Sequence, residues 1–427
     1  EMCIRDSYLF FVGGGFGFAY FFDLSEAGGG GISQILSGFY TTPTNYTDKG
    51  IYWVNPIADM LVPQRATLFG WALLFPCLHL LYRAAILDEH RLFLPLGVLA
   101  GCLPLVHTHS FLALGVISLV LLIANCLSLR GGLRLFLCYG LIAAALAAPQ
   151  LLCFTFKQAA SGSFLRLHWN WVNDKDSWLW FYVKNMGLIF LLMPPALACA
   201  RRESRLFFAG GALLWLICEL VVFQPNLYDN NKLIFVSYAL MCGLTAEFMA
   251  KVWTALRSGA VRRAAPVLAA FTLTACFLSG GLTLAREYVS GDHLGLGGWV
   301  ESGYQVVSAQ QRRLAEYVSE NTEPDAVFAT ATNHNNAIAM LTGRSIVCGA
   351  GTFLYYHGLD YQPREAALKL VYEQPAEWLD FYAQEYGIDY LLVSSHERGS
   401  WAVDEEYFAA ELDCVYSDGD LALYSLK

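Results

Sequence analysis

The sequence predicts a mostly α protein: a polytopic transmembrane helical bundle of about nine spans, residues 1–286, followed by a small extracytoplasmic α/β domain, residues 287–427. Three observations carry that expectation. Of 427 residues, 56% are hydrophobic and only 15% are charged, with a mean hydropathy of +0.42; soluble domains typically hold about a quarter charged residues. Charge is also unevenly divided. Residues 1–286 carry 20 Lys and Arg against 14 acids (+6), and residues 287–427 carry 7 against 22 (−15). Finally, the apolar residues of the first part fall into runs of membrane-crossing length, whereas those of the second alternate between strand and helix patterns.

The first residues, EMCIRDS, contain no initiator Met at position 1, no basic n-region and no small-residue cleavage site, so they do not read as a signal peptide. A truncated start is expected, with catalytic groups lying upstream. A spanning helix needs about 20 apolar residues. Nine segments meet or approach this: 8–22, 66–87, 92–106, 110–128, 133–155, 178–199, 206–223, 233–252 and 266–285. In the first of these, YLFFVGGGFGFAYFF, the glycines permit close approach of neighbouring backbones and suit a close-packed or broken helix. GGGFGF lacks the strand–turn–helix setting of a dinucleotide fingerprint.

Basic residues set the orientation. Arg83 and Arg91, Arg130 and Arg134, Arg201, Arg202 and Arg205, and Lys251, Arg257, Arg262 and Arg263 fall in alternate connections, opposed only by Asp88, Glu89 and Glu203. The positive-inside rule makes these connections cytoplasmic. Residues 23–65, the turn at 107–110, 156–177 and 224–232 then face outward, as does everything from 287 onward. The chain reads as an integral, multi-pass protein of the plasma membrane with its C-terminal domain extracytoplasmic. The aromatic run HWNWVNDKDSWLWFY, 168–182, suits an interfacial belt on that outer side.

The outer ends also gather polar residues. NPIADMLVPQRATLFGW brings Asp59, Gln64 and Arg65 to the second span, HTHS brings His107 and His109, and QPNLYDNNK brings Asp229, Asn231 and Lys232. Ionisable groups at membrane depth are costly and tend to line a cavity or bind something polar. Arg65 and Lys232 suit a lipid-linked phosphate or pyrophosphate, Arg as a bidentate fork and Lys as a point charge. Each residue also has a plainer role. Arg65 and Lys232 could snorkel to headgroups, the histidines could cap a helix, and Asp229 could simply pair with Lys232. Asp59 and Asp23 are fallback catalytic bases, with loop structure as the alternative.

In the tail, SAQQRRLAEYVSENT reads as helix, DAVFAT as strand, NNAIAMLTG as a helix ending at Gly343, and SIVCG as strand. PREAALKLVYEQPAEWLDFYAQEYG is helical with a break near Pro375, DYLLVSS is a buried strand, and CVYSD with LALYSL closes a hairpin at Asp418-Gly419. No GxSxG, HExxH or P-loop occurs, and His334, His357 and His396 have no metal-ligand spacing. Arg344, Tyr356, His357 and Arg364 combine aromatics and cations as sugar-contacting or membrane-facing loops do; packing against the membrane half is the alternative. The acidic tail excludes nucleic acid as a partner. Nine of twelve cysteines lie in apolar runs, no CxxC occurs, and Cys348 and Cys414 could pair or stay free. No oligomeric state is fixed.

Taken together, NPIADMLVPQRATLFGW, HTHSFLALG, YDNNK and TGRSIVCGAGTFLYYHGLDYQPRE resemble a group of bacterial and archaeal membrane proteins placed near the C-type membrane glycosyltransferases (GT-C), a likeness covering most of the chain from about residue 8. The resemblance implies a polyprenyl-phosphate-linked sugar as donor and an extracytoplasmic acceptor. It also implies an acid in the first outer loop that acts as base or metal ligand, which leaves a divalent metal as a candidate cofactor. That acid maps onto no residue of this sequence and is expected upstream. The rival expectations are a transporter or flippase for a lipid-linked or anionic solute, and a non-catalytic membrane scaffold.

Overall fold

A computed structural model describes residues 4–22, 30–38, 41–127, 132–156, 165–259, 261–290 and 305–426. The chain forms two compact units, 1–302 and 303–427.

The first unit is helical: α1 Ile4–Phe11, α2 Gly31–Ser37, α3 Arg65–Ala85, α4 Phe93–Val106, α5 Thr108–Leu127, α6 Leu133–Gln150, α7 Trp178–Met186, α8 Leu188–Cys199, α9 Arg202–Leu220, α10 Asn231–Ser258 and α11 Ala265–Ser290. Among the described residues, five helices are long and apolar enough to cross a membrane: 65–85, 108–127, 133–155, 227–258 and 265–290. A sixth is added if α7 and α8, bent by 100° at Gly187, count as one span. These helices are what an integral membrane protein requires.

The count falls short of the nine expected, for local reasons. α4 has 14 residues and, with the turn at His90–Leu92 before it, makes a shorter apolar helix, His90–Val106, rather than a full-length span. α9 opens on Arg202, Glu203 and Arg205, which shortens its apolar stretch. The segment 8–22 is not one helix. α1 stops at Phe11, and the glycines continue as open chain wedged among other backbones: Gly14 N–H donates to Cys276 O at 3.0 Å and Phe16 N–H to Lys184 O at 2.8 Å. A Cβ on Gly15 would fall on the carbonyls of Lys184 and Asn185, so no side chain fits there.

An aromatic core holds the bundle. Trp53 stacks on Phe235 with ring centroids at 4.8 Å, and Phe10, Trp71 and Tyr238 surround the same ring. Such rings bury large areas and gain from offset and edge contacts. Several deeper polar groups are internally bonded. The Tyr182 hydroxyl donates to buried Glu219 and accepts from Trp215 Nε1 at 2.9 Å, and buried Lys184 is paired with Asp176.

The second unit contains a five-stranded mixed sheet of order β4-β3-β5-β7-β6, built from β3 Val327–Ala329, β4 Ser345–Ile346, β5 Tyr390–Val393, β6 Asp413–Asp418 and β7 Leu421–Ser425. β1 Arg166–Leu167 and β2 Val221–Val222 form a separate antiparallel ladder in the first unit. β3 pairs in parallel with β4 and β5, while β7 is antiparallel to β5 and β6. Helices follow the expected signals. α12, Ala309–Asn321, begins with a Ser308–Gln311 capping box; α13, Ala337–Thr342, ends at Gly343 with φ +70°; α14 is Gly351–Tyr356; and Pro375 opens α16, Pro375–Tyr386, immediately after α15, Gln362–Glu373. Cys348 and Cys414 are free thiols.

Candidate functional site

The stretch 55–65 is built around Asn55. Its Oδ1 accepts from Ile57 N–H at 2.9 Å and Ala58 N–H at 3.0 Å, and its Nδ2 donates to Phe11 O at 3.0 Å. Pro56 follows as the first residue of a wide turn, Pro56–Leu61, closed by a Val62 N–H to Ile57 O bond at 3.1 Å. That i→i+5 spacing is rare and recurs at functional sites. The Asn55 backbone N–H donates to Asp59 Oδ2 at 2.8 Å. Burial pushes the Asp59 carboxyl up to about 6; the Asn55 N–H opposes the rise, Glu287 adds to it and Arg286 counters it.

Asp59 lines an open cavity of about 720 Å³. Its walls come from three sequence-distant segments: Asn45 and Tyr52; Trp169, Trp171 and Asp174; and Asn226 and Tyr228. All three belong to connections that charge alone assigned to one side. Tyr228 stacks on Trp171 at 6.1 Å. Trp171 is buried in the angle of Trp53 and Phe181. Asn170 and Trp171 hold φ values of +74° and +40°. For a bulky residue such backbone costs about 1–3 kcal/mol and persists only where the surroundings over-determine it. Here they do: His168 N–H donates to Leu220 O at 3.0 Å, Asn170 N–H to Glu219 O at 3.2 Å, and Trp171 Nε1 to Leu227 O at 3.0 Å.

A second polar group lies where α4 turns into α5. His107 Nδ1 pairs with Ser110 Oγ at 2.8 Å, and its ring lies 5.2 Å from that of His109. A Cβ on Gly70 would meet His107 Cγ at 2.6 Å, so the absence of a side chain on α3 makes room for the imidazole. His107 Nε2 is buried with no hydrogen-bond partner among the described residues. Lys232 acts electrostatically on both imidazoles and pairs with Asp229 at 3.2 Å. Asn231 is buried beside them in sequence, at the start of α10.

His107, His109, Lys232 and Asp229 therefore cluster, and Asp59 joins Tyr228 in the cavity. Gln64 does not enter either group: its Oε1 accepts from Thr67 Oγ1 at 3.1 Å. Arg65 is exposed at the first position of α3 and lines none of the cavities found among the described residues. Asp23 lies outside the described residues. In the second unit, Arg344 donates to Thr322 O at 2.9 Å, with Ser319 O and Thr342 O at 3.3 Å, so it caps the end of α12. Arg364 donates to Val347 O at 2.9 Å and lies 5.1 Å over the Tyr386 ring. His357 Nδ1 meets Phe353 O at 2.7 Å, and Tyr356 is exposed beside it.

That Trp169 and Trp171 also wall a cavity goes beyond the interfacial belt expected of the aromatic run. The available signal was their alternation with Asn170, Asn173 and Asp174 in a loop rather than along a helix face. Among the described residues no group of three or more His, Cys, Asp or Glu could hold a metal ion. Comparison with protein-family models found no match, and comparison with curated proteins found none.

Proposed function

We propose that the protein is a GT-C-like membrane glycosyltransferase, moving a sugar from a polyprenyl-phosphate donor to an extracytoplasmic acceptor with Asp59 as general base. One observation carries this reading: a half-buried carboxylate with a pKa of about 6, set in an open cavity walled by aromatic rings and amides. A base whose pKa lies just below working pH is both deprotonated and able to accept a proton. In the reaction the acceptor hydroxyl oxygen bonds to the anomeric carbon. The bond from that carbon to the phosphate oxygen breaks, its electron pair leaves with the phosphate, and the acceptor proton passes to Asp59. Lys232, with His107 and His109 beside it and Arg65 at the head of α3, supplies the cationic and hydrogen-bonding groups for the departing phosphate.

Transfer from a radiolabelled polyprenyl-phosphate sugar by the full-length protein tests this reading, with Asp59→Asn as the inactive control. A transporter or flippase is the second reading, favoured by the 100° break between α7 and α8 beside buried Lys184 and Asn185; broken helices build substrate sites in transporters. It would move the donor across vesicles without consuming it.

A further inference from the structure

The cavity around Asp59 has a charge character that the proposed reaction does not by itself require. Among the described residues its lining includes two carboxylates, Asp59 and Asp174, and no Lys or Arg. Lys232 and Arg65, assigned above to the departing phosphate, are not part of this lining. Its rim carries Trp169, which is 60% exposed, while Trp171 two residues on is 1% exposed. Between them runs the left-handed backbone at Asn170 and Trp171, tied down by bonds to Leu220, Glu219 and Leu227. Burying Trp171 through that turn is what holds the Trp169 indole at the mouth. Trp178 and Trp180 are also exposed, but neither lines the cavity. Trp169 is therefore the indole of the aromatic run that both lines this acid-bearing cavity and stays exposed.

We propose that Trp169 is the platform for an uncharged pyranose ring, so that the acceptor is itself a glycan with a neutral terminal sugar. This rests on the reading of Asp59 as the base that receives the acceptor proton. The axial C–H face of a pyranose carries slight positive charge and stacks on the negative face of an indole. Its equatorial hydroxyls meet polar side chains such as Asn45 and Asn226 on the other walls. An anionic sugar would meet two lining carboxylates and, among the described residues, no lining Lys or Arg, a repulsive feature that discriminates against it. A peptide acceptor would not need the stacking face.

The test uses the full-length protein in lipid nanodiscs with fluorinated tryptophan, the Trp169 resonance being assigned by its loss in Trp169→Phe. Addition of methyl α-D-mannopyranoside or methyl β-D-galactopyranoside is expected to shift that resonance, with methyl α-D-galacturonate binding about tenfold weaker or less. No shift with either neutral glycoside overturns the proposal. Broadening by headgroup-spin-labelled lipid without a sugar-dependent shift makes Trp169 a lipid anchor and also overturns it. Asp59→Asn separates the two readings: it should keep the sugar-induced shift while losing transfer. Full transfer by Asp59→Asn would remove the assigned base and leave the platform standing.

Discussion

The backbone N–H of Asn55 donates to the Asp59 carboxylate at 2.8 Å, while the Asn55 side chain holds the two N–H groups at the start of the same turn. One residue thus fixes both the turn and the direction of the acid it carries. Opposing this bond is burial, the larger effect, so the carboxyl titrates near 6 instead of near 4.

The first prediction concerns that titration. A carboxyl with a raised pKa is uncharged below it and ionised above it, and a general base must be ionised. Transfer measured as kcat/KM should therefore climb with pH and level off above about 6. Asp59→Asn should lower kcat by about 10² to 10⁴ and abolish the limb. The sign for stability is opposite: the native state holds the proton more tightly than the unfolded chain, so Asp59 costs stability as pH rises from the ordinary aspartate range through 6. Asp59→Asn should accordingly melt at a higher temperature than the parent at pH 8. A pH profile with no limb near 6 would remove Asp59 as the base.

Arg65 stands at the first position of α3, where Gln64 and Thr67 fix the chain through a 3.1 Å bond. A charge-assisted contact to phosphate typically contributes about 1.5 to 3 kcal/mol. Arg65→Ala should weaken binding of the lipid-phosphate donor about tenfold to a hundredfold, and Arg65→Lys should recover part of it. Equal donor affinity for parent and Arg65→Ala leaves snorkelling to headgroups as the explanation.

Gly70→Ala should lower the melting temperature, because its methyl group would enter the His107 ring. Overpacking of this kind costs about 1–3 kcal/mol. Gly243 in α10 meets nothing within 4 Å of an added Cβ, so Gly243→Ala should be neutral or stabilising. Equal melting of the two variants in detergent would contradict the close approach of α3 and the His107 turn.

Orientation has a native probe. Cys414 is exposed in the second unit. On intact cells a membrane-impermeant maleimide should label it and spare a cysteine placed at Glu203, which becomes reactive once membranes are opened. The reverse pattern would invert the topology set by the basic connections.

What the sequence determined by itself is local. Apolar runs yield α3, α5 and α10 because a chain in lipid must satisfy its backbone internally. Ser308, Gly343, Pro375 and Asp418-Gly419 mark ends and turns because caps, left-handed backbone and a fixed proline φ act over a few residues. Asp59 and the His107–Lys232 grouping were visible as polar residues where polarity is costly. Tertiary structure alone decided the rest. The run 8–22 is as apolar as a span, yet it opens because Cys276 and Lys184 offer carbonyls that only the folded bundle brings to Gly14 and Phe16. The cavity unites Tyr52, Trp169 and Tyr228 from connections far apart in the chain, and no short-range pattern encodes that meeting. The fold also decided that Arg344 donates to the Ser319, Thr322 and Thr342 carbonyls and Arg364 Nη1 to Val347 O, because backbone acceptors from distant elements compete with any ligand for those N–H groups.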